Sequence, residues 1–184
     1  MKISRTIVLV VLGFVFNGYA QNANYSQDFE SFEKGTNLLK IKKKRFNSWG
    51  GATWTVSQTN KKGNNKSDKF ATSGDKVNAT LVQYHNLEVG KTYLFKVAVK
   101  ITNAGGVNWK TNYAVKVISG AKGNTHIYGE NNVKEPGENK WREHKIVFTV
   151  LEGKEKVALQ VYRWAEGITL NVDDFSLTEM FGDN

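Results

Sequence analysis

Apolar and polar residues alternate through the middle of the chain. In residues 93–101 the odd positions are all apolar or aromatic, and the even positions include two lysines. A period of two is typical of a β-strand that buries one face in a core. The same alternation recurs in residues 113–117, 146–150 and 157–161. These segments therefore predict a series of half-buried antiparallel strands.

Turn-forming residues separate the alternating segments. No long amphipathic helix pattern, internal repeat or linker interrupts them, so the sequence predicts one domain. We expect an all-β fold, a two-sheet antiparallel β-sandwich of roughly eight to ten strands. The turn signals lie at Gly35, Gly50-Gly51, 62–65, 73–75, 88–90, 104–106, 136–139 and 152–154.

The first residues have the pattern of an export signal. Lys2 and Arg5 precede an apolar run at 7–16, and Gly18-Tyr19-Ala20 forms a small-x-small cleavage site. The apolar run is short for a membrane span. Residues 1–20 are therefore predicted to be a signal peptide and 21–184 the mature domain of a secreted or periplasmic protein. The absence of cysteine excludes a lipoprotein-type signal and disulfides.

The predicted mature chain is basic. Removal of Lys2 and Arg5 takes Lys and Arg from 26 to 24 against 17 Asp and Glu, a balance of about +7. Outside the cytoplasm an acidic polysaccharide is a more available polyanion than nucleic acid, so we expect no nucleic-acid partner. The alternative is a surface that is basic only for solubility. The stretch 40–45 likewise either faces an anionic ligand or forms a solvated edge.

Acidic residues stand in short apolar segments at both ends of the mature chain. Asp28 and Glu30 lie in the first of these segments, and Asp173 and Asp174 in the second. Burial of one unpaired charge costs several kcal/mol. The two segments are therefore predicted to be strands that meet around a shared cation or hydrogen-bond network, so that the chain closes on itself.

The motifs of the mature chain follow one another in a definite order. They are Asp28-Phe29-Glu30-Ser31, the tryptophan-bearing segment 49–56, the turn into a long strand at 87–93, Lys140-Trp141 leading into 146–150, and the closing segment 172–177. This order resembles that of the non-catalytic carbohydrate-binding modules with a jelly-roll sandwich, nearest the family 4, 16 and 22 types. The resemblance covers most of residues 25–178.

The resemblance implies a jelly roll that binds sugar on a concave sheet or at a loop edge. It also implies a structural calcium ion that joins the first and last strands, and calcium accepts several carboxylate and carbonyl oxygens at once. Glu30 matches the glutamate of the opening motif and Asp173 the first aspartate of the closing pair, with Asp28 and Asp174 as second choices. Alternatively, these residues only accept backbone hydrogen bonds at strand ends.

Aromatic residues outside the apolar phase of the strands are candidates for sugar binding. On the strand that contains 157–161, the positions that point away from the apolar face carry Gln160, Tyr162 and Trp164, with Arg163 beside them. Trp49 directly precedes Gly50-Gly51, and Trp109 follows Gly105-Gly106 in a turn, where a large ring is expected to be partly exposed. Trp54 and Trp141 enter apolar strands and are assigned to packing. The candidate ligand-binding set is therefore Trp49, Trp109, Gln160, Tyr162, Arg163 and Trp164.

Signatures of catalysis are weak. The three histidines are far apart in sequence, and a nucleophile elbow is missing. On a strand, Asp173 and Asp174 would point to opposite faces, unlike a glycosidase pair. A jelly-roll polysaccharide lyase built from Tyr84-His85-Asn86, Tyr162 and Arg163 remains open, as does a structural or adhesive sandwich. We expect a monomeric, non-catalytic module that binds polysaccharide and favours anionic glycans.

Overall fold

The protein is a β-sandwich of two antiparallel sheets. The computed structural model describes residues 24–41, 46–49, 51–59, 69–74, 79–102, 113–120, 125–134, 139–163 and 168–180. Within these ranges no helix is long and apolar enough to cross a membrane. The predicted signal peptide lies outside them. The prediction of an all-β, two-sheet antiparallel sandwich is confirmed.

Eleven strands and one short 3-10 helix at Leu38–Lys40 make up the described part of the chain, slightly more strands than the sequence predicted. The additional strands are the very short ones near the start, which are too brief to show an alternating pattern. The strands are β1 (Tyr25–Gln27), β2 (Phe46–Asn47), β3 (Trp54–Gln58), β4 (Lys69–Ser73), β5 (Thr80–Asn86), β6 (Thr92–Thr102), β7 (Tyr113–Ser119), β8 (His126–Val133), β9 (Arg142–Thr149), β10 (Lys156–Arg163) and β11 (Thr169–Met180).

The two sheets contain six and five strands. The six-stranded sheet has the order β3-β4-β11-β6-β9, with β1 also paired to β11. The five-stranded sheet has the order β2-β5-β10-β7-β8. Because most neighbours are distant in sequence, both sheets depend on long-range pairing. The predicted alternating segments lie in strands β6, β7, β9 and β10, except that Val150 follows the end of β9.

Strand β11 joins the two ends of the domain. One edge of β11 pairs with β6. On its other edge, β4 pairs with Asn171 and Val172, and β1 pairs further along, where Gln27 lies opposite Phe175. The ends of β1 and β4 therefore meet beside Asp173 and Asp174. The predicted meeting of the two chain ends is confirmed and is made by backbone pairing. The first strand is Tyr25–Gln27, however, and Asp28 to Ser31 lie in the turn that follows it.

The core lies between the facing sides of the sheets. All five odd-numbered residues of 93–101 are buried, as the alternation predicted, and so are Trp54 and Leu159. Phe175 is the main aromatic contact point: its ring centroid lies 4.9 Å from that of Phe95, 5.8 Å from Phe46 and 6.5 Å from Tyr25. These contacts connect both sheets to the first strand.

Hydrogen bonds also cross between the sheets. Trp54 donates its ring N–H to the Thr80 carbonyl at 3.1 Å, which confirms its packing role. The Tyr113 hydroxyl lies 2.8 Å from His144 Nε2. At the β8 edge, a Cβ on Gly129 would stand 2.5 Å from Ile146 Cγ2, so only glycine permits this approach of the two sheets.

His85 belongs to a polar cluster on the inner face of the five-stranded sheet. Its Nε2 lies 2.9 Å from Gln83 Oε1, and its ring meets Tyr25 edge-on at 5.5 Å. Burial lowers the pKa of His85 to about 4. Burial also raises the pKa of Tyr25 to about 12. Both groups are therefore neutral in the folded protein near neutral pH.

Stability is expected to fall as the pH is lowered from about 6.5 towards 4, because the unfolded chain protonates His85 in that window while the folded protein does not. The full effect is on the order of 3 kcal/mol. Urea denaturation at about pH 7 and about pH 4.5 measures it. His85→Gln should lose this part of the pH dependence, and His126→Gln should keep it. An identical pH dependence in wild type and His85→Gln would contradict the assignment.

Candidate functional site

The outer faces of the two sheets differ in exposure. In the six-stranded sheet, β6 alternates strictly between buried inner residues and partly exposed outer residues. In the five-stranded sheet, Val157 to Arg163 of β10 are all buried, including those that point away from the core. A sheet face that is shielded without belonging to the core is typical of a concave binding surface.

A groove crosses the strands on this outer face. Its floor is Ala158, which the strand register places between Tyr84 of β5 and Ile118 of β7. The small side chain of Ala158 leaves space between two larger neighbours. The groove has a volume of about 610 Å³ and is lined by Trp49, Tyr84, Ile118, Ser119, Gly120, Thr125, Lys156 and Ala158.

Trp49 stands at the rim of the groove. It follows β2, whose residues Phe46 and Asn47 pair with β5. Its side chain is 44% exposed, the one tryptophan among the exposed large hydrophobic residues of the described chain. An exposed indole beside a groove offers an apolar plane together with a ring N–H donor.

Next to the groove floor lies a charged network. Lys116 Nζ is 2.6 Å from Glu130 Oε1, and the Tyr162 hydroxyl donates to the same oxygen at 3.1 Å. The Lys116 ammonium also lies 4.9 Å from the centre of the Tyr162 ring. Burial opposes the ionisation of both charged groups. Their mutual hydrogen bond nevertheless lowers the pKa of Glu130 below its usual value and raises the pKa of Lys116 above its usual value. The pair is thus ionised and internally neutral.

Gln160 lies in the same row of the sheet, between Val82 and Lys116. It is only 4% exposed, and its Nε2 has no hydrogen-bond partner. A buried amide donor without a partner costs roughly 1–3 kcal/mol.

The structure brings together part of the predicted ligand-binding set. Trp49, Gln160 and Tyr162 share the outer face of the five-stranded sheet. Arg163 does not: it is 1% exposed, lies opposite Tyr113 on the inner face, and donates to the Gly74 carbonyl at 2.9 Å. The physical reason is the two-residue period, which turns it away from its neighbour Tyr162. Trp109 and Trp164 lie outside the described residues.

The sequence reasoning missed Lys156, which lines the groove, and the Lys116–Glu130 pair, which lies beside it. Lys116 and Glu130 are opposite each other in the β7–β8 register. Each is an ordinary charged residue in sequence, and only the register brings them together. The sequence gives a partial indication for Lys156, because it lies an even number of residues from Gln160 and Tyr162 and is therefore expected on the same face of the strand. Residues 42–45 of the basic stretch are outside the described residues, and Lys40 is exposed.

The four predicted metal residues lie around the junction of β1, β4 and β11. Glu30 Oε1 accepts the Lys69 backbone N–H at 3.1 Å, and Lys69 Nζ donates to the Glu30 carbonyl at 3.0 Å. Asp28 accepts the Glu30 N–H, and Asp173 the Asp174 N–H. Among the described residues no three acidic, histidine or cysteine side chains converge closely enough to hold a metal. Backbone carbonyl oxygens would have to complete a calcium site.

Comparison with known proteins identifies the fold. No family model and no curated protein matches the sequence. Solved structures do match. The C-terminal family 22 carbohydrate-binding module of Xyn10B from Clostridium thermocellum has a TM-score of 0.57 and 14% identity, over 84% of this chain and 92% of that one. A family 4 module has a TM-score of 0.53 and 16% identity, over 88% and 99%.

The fold is that of the jelly-roll carbohydrate-binding modules. The resemblance to families 4, 16 and 22 is therefore confirmed at the level of fold. The arabinose-bound α-L-arabinofuranosidase MgGH51 is also similar, with a TM-score of 0.62 and 14% identity over 85% of this chain. This chain covers 26% of that enzyme chain.

Replacement of Gln160 by methionine tests whether its amide is structural. Methionine keeps the length of the side chain and removes the buried donor without a partner, so we expect the free energy of unfolding to stay unchanged or rise by about 1 kcal/mol. Urea denaturation of Gln160→Met beside wild type measures the change. A loss of more than about 1 kcal/mol would show that the amide supports the fold.

Proposed function

We propose that the protein is an exported, non-catalytic module that binds polysaccharide in the groove on the outer face of the five-stranded sheet. The observation that carries this proposal is the exposed Trp49 at the rim of a groove of about 610 Å³ on a shielded sheet face. Pyranose rings present apolar C–H faces that stack on an indole plane. Thr125 and Lys156 supply polar groups along the same groove.

Two further properties belong to the same proposal. Export rests on the signal-peptide pattern of residues 1–20. A preference for anionic glycans rests on the basic balance of the mature chain, which would attract a polyanion before contact. We also propose that the module acts as a monomer.

The lyase alternative loses support from the placement of its residues. Tyr84 lines the groove, whereas His85 lies on the inner face with a pKa lowered by burial. Arg163 is also on the inner face, bound to the Gly74 carbonyl. The Tyr162 hydroxyl donates a hydrogen bond to Glu130. His85 and Arg163 are therefore both turned away from the groove face, and of the lyase set only Tyr84, Asn86 and Tyr162 remain on it. A structural or adhesive sandwich is a further alternative, and it requires no glycan affinity.

Trp49→Ala is expected to weaken glycan binding by roughly 10–100-fold, because it removes the apolar stacking surface at the rim. A glycan array with the recombinant mature protein selects the ligand, and affinity electrophoresis in that polysaccharide measures the loss. Trp141→Ala is the matched control. Its ring contacts Phe70 and Lys100 of the six-stranded sheet, so affinity should not change.

Circular dichroism of each variant distinguishes lost binding from lost folding. If wild type binds no glycan on the array, the polysaccharide proposal fails and the structural alternative stands. If Trp49→Ala and Trp141→Ala weaken binding equally, the site does not lie in this groove.

We also propose a structural calcium ion at the junction of β1, β4 and β11. Glu30 offers a carboxylate and a carbonyl oxygen, both in contact with Lys69 of β4, and Asp173 stands in β11, the strand paired with β4, which suits a hard cation. Asp28 and Asp174 are the second choices. Calcium would compete with the Lys69 ammonium for the Glu30 carbonyl. The ion would tie the ends of three strands together.

Calcium at a hundredfold excess over its Kd is expected to stabilise the fold by about 2.7 kcal/mol. Thermal unfolding with calcium chloride and with a chelator measures the shift. Glu30→Gln keeps an oxygen acceptor for the Lys69 N–H and should abolish most of the calcium effect. Equal thermal midpoints of wild type under the two conditions would rule out the ion.

A further inference from the structure

Lys156 lines the groove on the side opposite Gln160. The two residues lie on β10 with Ala158 midway between them, and all three point to the outer face. Residues two apart on a strand are separated by about 7 Å. A chain that lies over Ala158, across the strands, therefore has one edge towards Lys156 and the other towards Gln160 and Lys116.

The two sides of the groove floor differ in charge. Beyond Ala158, next to the groove, Lys116 is neutralised by Glu130 at 2.6 Å, so the row of Gln160 and Lys116 carries no net charge. Lys156, which lines the groove, pairs with no acidic side chain among the described residues. The centre of the Tyr84 ring lies 5.9 Å from its ammonium. That contact leaves the hydrogen-bond donors of the ammonium available.

We propose that Lys156 recognises an anionic substituent of the bound glycan. The ligand is a polysaccharide with carboxylate or sulfate groups along the edge that faces Lys156 and uncharged hydroxyls along the edge that faces Gln160. This inference rests on the proposed polysaccharide function and adds the ligand class and the residue that selects it. The preference for anions is thereby a property of one wall of the groove, where a charge-assisted hydrogen bond forms.

Local recognition by Lys156 and attraction by the overall charge have different consequences. General attraction would be lost equally on removal of any surface lysine. Recognition at Lys156 is lost on removal of that residue alone. Lys34 is the matched control, because it is exposed in the turn after β1 and does not line the groove.

The experiment is affinity electrophoresis of the mature protein in four polymers. Polygalacturonate and its carboxyl-reduced product test carboxylate, and carrageenan and its desulfated product test sulfate. Wild type, Lys156→Gln, Lys34→Gln and Trp49→Ala are compared at the same low salt. We expect wild type to bind at least one anionic polymer more tightly than its neutral partner. Lys156→Gln should lose about tenfold in affinity for the anionic polymer and none for the neutral one.

The outcomes separate the inference from the function on which it rests. If wild type binds the neutral and anionic members equally, and Trp49→Ala weakens both, the groove binds polysaccharide and the role of Lys156 is refuted. Equal losses for Lys156→Gln and Lys34→Gln also refute it, because they indicate general attraction. If none of the four polymers retards wild type, the inference fails together with the anionic preference, and the glycan array then decides whether the groove binds any neutral glycan.

Discussion

The packing of Phe175 between the two sheets is the interaction on which the rest of the structure depends. Its ring meets Tyr25 of β1, Phe46 of β2 and Phe95 of β6. Phe46 belongs to the five-stranded sheet, whereas Phe175 and Phe95 belong to the six-stranded one. Loss of this ring would leave a cavity at the point where the first and last strands meet. The position of β2, and with it that of Trp49 at the groove, follows from this contact.

The sandwich uses its two outer faces differently. The outer face of the six-stranded sheet carries ion pairs such as Lys96–Glu143 at 3.2 Å, which suit contact with water. The outer face of the five-stranded sheet is shielded and contains a paired charge, a buried amide and a small floor residue. Polar groups in such a face cost stability unless they are partnered. This contrast between the two outer faces is the basis for placing the proposed glycan groove on the five-stranded sheet.

The charges at the groove bear more directly on the choice of ligand than the net charge of the whole chain does. The overall basic balance is spread over many exposed lysines, several of which are already paired, such as Lys91 with Glu88 and Glu179. Such surface pairs contribute little to stability. The two lysines at the groove differ: Lys116, beside it, is neutralised by Glu130, whereas Lys156, which lines it, pairs with no acidic side chain among the described residues. The acidic residues at the chain ends act mainly in the fold, since they surround the junction of three strands.

Much of the architecture was predictable from local pattern. A period of two places neighbouring side chains on opposite faces, so residues 93–101 and 157–161 identified their strands and core faces. The same rule correctly placed Gln160 and Tyr162 together, away from the core, and it also explains why Arg163 faces inward. What the pattern cannot supply is pairing between distant strands. The Lys116–Glu130 bond needs the β7–β8 register, and Trp49 reaches the groove through the pairing of β2 with β5. The sequence by itself determined the strands and their faces, because alternation is local. Only the tertiary structure decided which charges are neutralised and where the groove lies, because both depend on which strands become neighbours.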